Sequence, residues 1–290
     1  MCLGRLLRPS IRSFPEGDGI VRKGSGREGI FMQSKTSTKL LGLLLTTVGA
    51  FSASGATTLL QQTDVTPGTI LPISLNDSLS LRKSKPGDVI SSRIMQDVPL
   101  QNGSSIPRGT RVMGRVLNVT PATNGGTTQI SFQFDSMQLG HSAIPLTTNL
   151  RALASPSEID DAQLPLYGGD GGTPSTAYTT VQIGDDEVVY RGGGPVARGD
   201  IVVGKPVYGG VLVAVSSAPD APCRGAIEGN NQPQALWLFS SDACGVYGYA
   251  GLSIRHAGRT NPRGQIVLST TDRQLNVRGS SGMLLRVDRQ

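Results

Sequence analysis

Between Thr66 and Val119 short apolar runs are cut again and again by Pro-Gly and Arg-Gly pairs. The stretch reads Pro67-Gly68-Thr69-Ile70-Leu71-Pro72-Ile73-Ser74-Leu75, then Lys85-Pro86-Gly87-Asp88-Val89, then Ile106-Pro107-Arg108-Gly109-Thr110-Arg111-Val112-Met113-Gly114. A helix does not survive this punctuation: proline removes a backbone donor and clashes with the preceding turn, and glycine carries a large entropy cost. Short strands joined by tight turns do survive it, and that is the reading. The abundance of glycine in the whole chain, 38 residues, agrees with many turns and few long helices.

The clearest strand is Thr128–Met137, where Ile130, Phe132 and Phe134 face one way and Gln129, Ser131, Gln133 and Asp135 face the other. That period of two predicts one buried side and one wet or cavity-facing side. Asn102-Gly103 and Asn124-Gly125 are hairpin signals, because both central positions tolerate positive φ. Residues 151–176 read as a connector, with one helical turn capped by Ser155 or Ser157 and then a glycine-rich run. Strands resume at Tyr178–Ile183 and Glu187–Arg191 and continue to Met283–Val287. The expected architecture is therefore all-β: a barrel or sandwich at about 65–150 and a second β-rich unit at about 177–290. The two are expected to be able to close into one sheet system through Arg286-Val287 against the first strands.

The net charge of +6 suggests an anionic partner until it is located. Residues 1–56 carry eight basic side chains against Glu16, Asp18 and Glu28, a net of +5, so residues 57–290 stand at only +1. A nearly neutral body leaves no electrostatic footprint for a phosphate backbone, and no nucleic-acid partner is expected. The excess has another use. Lys35 and Lys39 precede the apolar run Leu40–Phe51, and Ser52-Ala53-Ser54-Gly55-Ala56 follows it. This is the order of a secretory signal at 32–56 with cleavage after Ala56. The run is short for a membrane span, which needs about 20 residues, so no integral anchor is expected after cleavage. Residues 1–31 lack periodicity and precede Met32, the expected start; they read as a non-native or disordered extension.

After such cleavage two cysteines remain, Cys223 and Cys244, an even pair that in an exported protein suggests a disulfide. Trp237, Phe239, Tyr247 and Tyr249 cluster around them in sequence, either as packing around the bridge or as the lining of a ligand groove. The search for chemistry returns nothing sharper. There is no Gly-x-Ser-x-Gly elbow, and only His141 and His256 are available as base or metal ligand. Asp185, Asp186 and Glu187 form an acidic turn of the kind that is usually solvated. The segment Gly199–Pro206 nearly matches a phosphate-binding loop, but Pro206 stands where the hydroxyl should be, and the apolar triplet Ile201-Val202-Val203 reads better as strand. No catalytic, cofactor-binding or metal site is expected.

At Gly68-Thr69-Ile70-Leu71, Pro86-Gly87-Asp88-Val89, Asp97-Val98 and Ile106–Gly114 the chain resembles the β-barrel domain of TrbI-like components of bacterial conjugation and type IV secretion channels. The likeness covers about 66–150 and implies an envelope location and a scaffold that contacts other subunits. The chain departs from that family's pattern over 175–290 and in having no cytoplasmic segment and no Pro-rich periplasmic arm. The whole chain is also similar to exported proteins of soil bacteria such as acidobacteria. The function expected from these readings is a non-catalytic structural or interaction protein, periplasmic, in the cell envelope or secreted, that meets a protein partner or self-associates. The alternatives are a carbohydrate- or small-ligand-binding module using Trp237 and Tyr247, and a hydrolase with dispersed carboxylates.

Overall fold

Each turn signal in the first half starts or ends a strand. The computed structural model describes residues 65–123, 125–166, 178–215 and 232–289; the expected extension, the leader with Ala56, and Cys223 lie outside them. β1 (Ile70–Leu75), β2 (Leu79–Ser80), β3 (Val89–Ile94), β4 (Val98–Pro99), β5 (Ser105–Ile106), β6 (Arg111–Thr120), β7 (Thr128–Leu139), β8 (Ser142–Pro145) and β9 (Thr148–Ala154) follow one another. Gly87 and Gly109 sit at φ +91° and +87° in the turns before β3 and β6, a conformation that L side chains resist. α1 (Pro156–Asp161) is the single helix of the described residues. Ser155 caps it by accepting from the Glu158 N–H, with proline in the first turn where its missing donor costs nothing.

The second half supplies a meander and the closing strands. β10 (Tyr178–Val181), β11 (Glu187–Tyr190), β12 (Val196–Arg198), β13 (Ile201–Val207), β14 (Gly210–Val213) and β15 (Gln234–Ala235) form a six-stranded antiparallel sheet in chain order. β16 (Gly245–Tyr247), β17 (Leu252–Ala257), β18 (Ile266–Thr270), β19 (Asn276–Val277) and β20 (Gly282–Val287) complete the chain. The large sheet runs β16-β9-β20-β1-β3-β6-β7-β18-β17, with β8 also on β7. Its first and last strands in sequence are neighbours: Ile70 lies opposite Arg286, and the Val287 N–H donates to the Thr69 carbonyl. Strands from before and after 151–176 thus share one sheet, through the end that the sequence left able to pair with the first strands, while β10–β15 form a sheet of their own.

The all-β reading holds. The large sheet curls until its edges β16 and β17 touch, yet no ladder joins them, so it is not a closed barrel. With the six-stranded sheet packed against it the arrangement is sandwich-like. The expected connector needs correction at its start. Residues 151–154 belong to β9, whose residues are all buried, and α1 follows at once. Arg151 and the small Ala152 and Ala154 disguise a central strand, because burial on both faces removes the alternation that marks a strand half in water.

That double burial organises the core. β9, β20 and β1 lie side by side as a wall. Leu71, Ile73 and Leu75, Leu150 and Leu153, and Met283 and Leu285 point into one cluster together with Ile130, Phe132 and Phe134 of β7. Ile70, Ala152, Ala154 and Leu284 point the other way, against Val188, Val196, Val211 and Phe239. Each fully buried side chain of this size contributes about 1.5–3 kcal/mol of transfer free energy. Gly114 of β6 is needed for close approach: a Cβ there would meet the Gln133 carbonyl oxygen at 2.1 Å.

Where the six-stranded sheet abuts the wall, backbone groups run out of ladder partners and three buried glutamines replace them. Gln96, fully buried, donates from Nε2 to the Val211 carbonyl and accepts the Trp237 N–H at Oε1, both at 2.7 Å. Gln182 donates to the Phe239 carbonyl at 2.7 Å, and Gln234 accepts the Ile70 N–H at 3.1 Å. A buried polar group left without its partner costs about 1–3 kcal/mol. Gln96→Leu strands the Trp237 N–H, while the Val211 carbonyl keeps the Leu236 N–H, and it is expected to destabilise the protein by about 2 kcal/mol in urea unfolding. Emission from Trp237, the sole tryptophan, reports the same joint. A loss below about 1 kcal/mol would show that these bonds do not hold the sheets together.

Candidate functional site

The strongest cleft in chemical terms is aromatic and lies on the six-stranded sheet. It encloses about 400 Å³ and is lined by Tyr178, Tyr190, Tyr208, Trp237, Leu238 and Arg108, among others. Tyr178 and Tyr190 are opposite each other in the β10–β11 ladder, which brings their rings into a stack at 5.2 Å and 22°. The Arg191 guanidinium stands 5.3 Å over the Tyr178 ring. Tyr208 occupies the β13–β14 turn, 85% exposed, with Arg108 6.0 Å from its ring centre.

Trp237 forms part of the floor. Its backbone is left-handed, φ +53°, which is uncommon for a bulky residue and marks a position held by its surroundings. The holding group is Gln96, which takes its N–H. Its ring lies against Gly282, where a Cβ would approach Cζ3 to 3.0 Å. Aromatic rings accompanied by guanidinium groups suit a flat, apolar or sugar-like surface, with phenol hydroxyls for hydrogen bonds. Burial, followed by the neighbouring Tyr178, pushes the Tyr190 phenol above its ordinary value, against a hydrogen bond with the Thr180 side chain that pulls it down.

Of the four aromatic residues singled out in the sequence, only Trp237 lines this cleft. Phe239 is fully buried in the core between wall and meander. The Tyr247 hydroxyl accepts the Cys244 N–H at 2.9 Å. The Tyr249 hydroxyl lies 2.5 Å from Ser281 Oγ and accepts the Arg278 N–H. Both tyrosines therefore brace loops. Trp237 shares this cleft with Tyr178, Tyr190 and Tyr208, and Tyr247, its companion in the alternative groove reading, is not among the residues that line it. No spacing linked these residues to Trp237; only the Tyr178-to-Tyr190 interval around Gly184-Asp185-Asp186 hinted at a facing pair.

The acidic turn is solvated at Asp185 and Glu187, as expected, but not at Asp186. Asp186 is completely buried; it accepts from Arg198 Nε at 2.7 Å, from the Ser241 N–H at 2.6 Å and from Ser241 Oγ. Arg198 also pairs with Asp242 and donates to the Gly184 carbonyl. Asp185 serves the turn at φ +80°, and both Asp185 and Glu187 are exposed. Gly199–Pro206 is used mainly as strand β13, as the sequence suggested, and does not form a cradle. His256 is occupied in its own hairpin, with Nδ1 2.7 Å from the Gln265 carbonyl. Among the described residues no group of three or more His, Cys, Asp or Glu side chains is placed to hold a metal ion, and no helix is long and apolar enough to cross a membrane. Cys244 lies in the loop before β16, and its expected partner Cys223 is outside the described residues.

No protein-family model matches the chain, and neither a curated protein nor a solved structure matches it.

The raised phenol gives a pH signature. The folded state holds the Tyr190 proton more tightly than the unfolded chain, so this contribution to stability is intact below about pH 10 and is lost as pH rises through the folded value. In a spectrophotometric titration Tyr190→Phe is expected to remove the late-ionising phenol and to flatten the alkaline fall in stability. An unchanged titration curve would mean that the stacked pair is open to solvent.

Proposed function

We propose that this chain is an exported, non-catalytic protein of the cell envelope that works by holding a partner, another protein or a second copy of itself, on its sheet edges and loops. The observation that carries this reading is the pair Ile201 and Val202, 68% and 64% exposed at the tip of the β12–β13 hairpin. Neighbouring residues of a strand face opposite sides, so here an apolar side chain stands in water on each face. Edge strands β10 and β17 add backbone groups for strand addition. The leader pattern at 32–56 and the resemblance to TrbI-like blocks at 66–150 support the same location. In this reading Cys223 and Cys244 are bridged, closing a loop of about twenty residues that contributes about 3 kcal/mol.

In envelope extracts the native protein is expected to begin at Thr57 and to run in an assembly larger than one chain. Ile201→Lys with Val202→Lys is expected to shift it to the monomer position. A native chain that is strictly monomeric, or that retains residues 1–31, would refute the reading. Without reduction, neither Cys223 nor Cys244 is expected to take up an alkylating label.

A second reading is favoured by the Tyr178–Tyr190 stack: a carbohydrate- or small-ligand-binding module with its site at the aromatic cleft. Tyr208→Ala is the clean probe, since that ring is exposed and outside the core. Glycan-array binding that drops about tenfold or more in Tyr208→Ala promotes this reading, and a blank array removes it.

A further inference from the structure

A second cleft, of about 490 Å³, opens where the turn after β2 meets the bends before β19. Arg82, Lys83 and Arg273 line it together with Ser80, Leu81 and Leu275, among others, and among the described residues that line it there is no carboxylate. We propose that this cleft binds a phosphate monoester, free or carried on a lipid headgroup.

Three observations point there. First, the fold gathers the cations on a fixed frame. β2 and β19 pair Leu79 with Val277 and Ser80 with Asn276, and the Leu81 N–H donates to the Leu275 carbonyl at 3.0 Å. Leu79, Leu275 and Val277 are buried in the main core cluster. The turn Ser80–Ser84 is closed by its own bonds: the Ser84 N–H donates to the Ser80 carbonyl at 2.9 Å, and Ser84 Oγ accepts the Ser80 N–H at 3.0 Å. A site held in this way loses little freedom on binding. Second, among the described residues none of the three cationic side chains has a hydrogen bond, ion pair or ring contact. The nearby carboxylates are turned to other tasks. Asp272 Oδ2 lies toward Gly251, where a Cβ would stand 3.3 Å from it, and Asp88 accepts the Lys85 N–H at 2.7 Å. Like charges gathered in a cleft focus their field on it and draw in an anion. Third, Ser80 is only 9% exposed and lines the cleft. Its Oγ accepts the Lys83 N–H at 3.3 Å, and its own O–H has no acceptor among the described residues. A buried donor in that state calls for an acceptor oxygen. The donor count selects the head group. A carboxylate carries one charge and two oxygens, which one guanidinium fork satisfies. A phosphate monoester carries about −1.5 to −2 at pH 7 on three terminal oxygens, enough for two forks and an ammonium. The volume falls in the range of small-molecule sites. The cleft shares no residue with the aromatic cleft or with the Ile201-Val202 tip, so it stands independently of both.

Calorimetry of the full chain with glycerol 3-phosphate and with acetate tests the head group. Flotation with phosphatidylcholine vesicles, with and without phosphatidic acid, tests the lipid source. At least one phosphate source is expected to bind: glycerol 3-phosphate saturably with a Kd below about 1 mM, or phosphatidic acid vesicles in preference to phosphatidylcholine alone. Arg82→Gln and Arg273→Gln, at exposed positions, are each expected to weaken that binding about tenfold, with further loss as salt rises. Saturable binding of glycerol 3-phosphate assigns the site to a free monoester. Binding confined to phosphatidic acid vesicles and weakened in both variants assigns it to a headgroup. Acetate binding as tightly as glycerol 3-phosphate would overturn the choice of phosphate. Failure of both sources, with glycerol 3-phosphate taken to about 10 mM, or binding unchanged in either variant, would overturn the proposal.

Discussion

A wall buried on both faces is the constraint from which the rest of this structure follows. β9, β20 and β1 separate two apolar clusters, so all of their side chains but those of Ser74 and Arg286 are buried. Where the meander meets this wall the usual ladder is interrupted, and an interrupted ladder in a dry interior must be completed by side chains. Gln96, Gln182 and Gln234 do this. A glutamine suits the task because one amide both donates and accepts. Gln96 uses both ends and thereby fixes the left-handed backbone of Trp237, so the joint between the sheets and the floor of the aromatic cleft are one piece of architecture.

Charge is divided between support and surface. Asp186 and Arg198 tie the β10–β11 turn to the loop at Ser241–Asp242, and the buried carboxylate has a partner for both of its oxygens. Arg115 and Asp135, by contrast, pair across β6 and β7 in solvent, where an ion pair contributes little. Arg151 and Arg255 stand at bulges, which places charge beside the unfinished edge of the sheet. An incomplete barrel thus gains a cleft that a closed one would lose.

The legible part of the fold was the part in which each residue answers to a local rule. Pro86-Gly87 and Arg108-Gly109 announce turns, and Ile130, Phe132 and Phe134 alternate because one face of β7 is more buried than the other. Arg286-Val287 pairs with the first strand as the closing motif suggested. β9 escaped because a strand covered on both sides does not alternate, and its alanines and Arg151 imitate a connector. Asp186 escaped because a buried acidic residue and a solvated one look alike in a turn. The cleft escaped because Tyr178, Tyr190, Tyr208 and Trp237 come from separate strands and turns, and adjacency in sequence favoured Tyr247 and Tyr249 instead.

By itself the sequence determined that the chain is built of short strands, where many of them turn, and which face of the most regular strand is oily, because these depend on backbone dihedral limits and a period of two. Which strands become neighbours, that the sheet stops short of closure, and which aromatic and basic side chains converge were decided only by the tertiary structure. Those outcomes depend on contacts between residues far apart in the chain, and no local pattern encodes them.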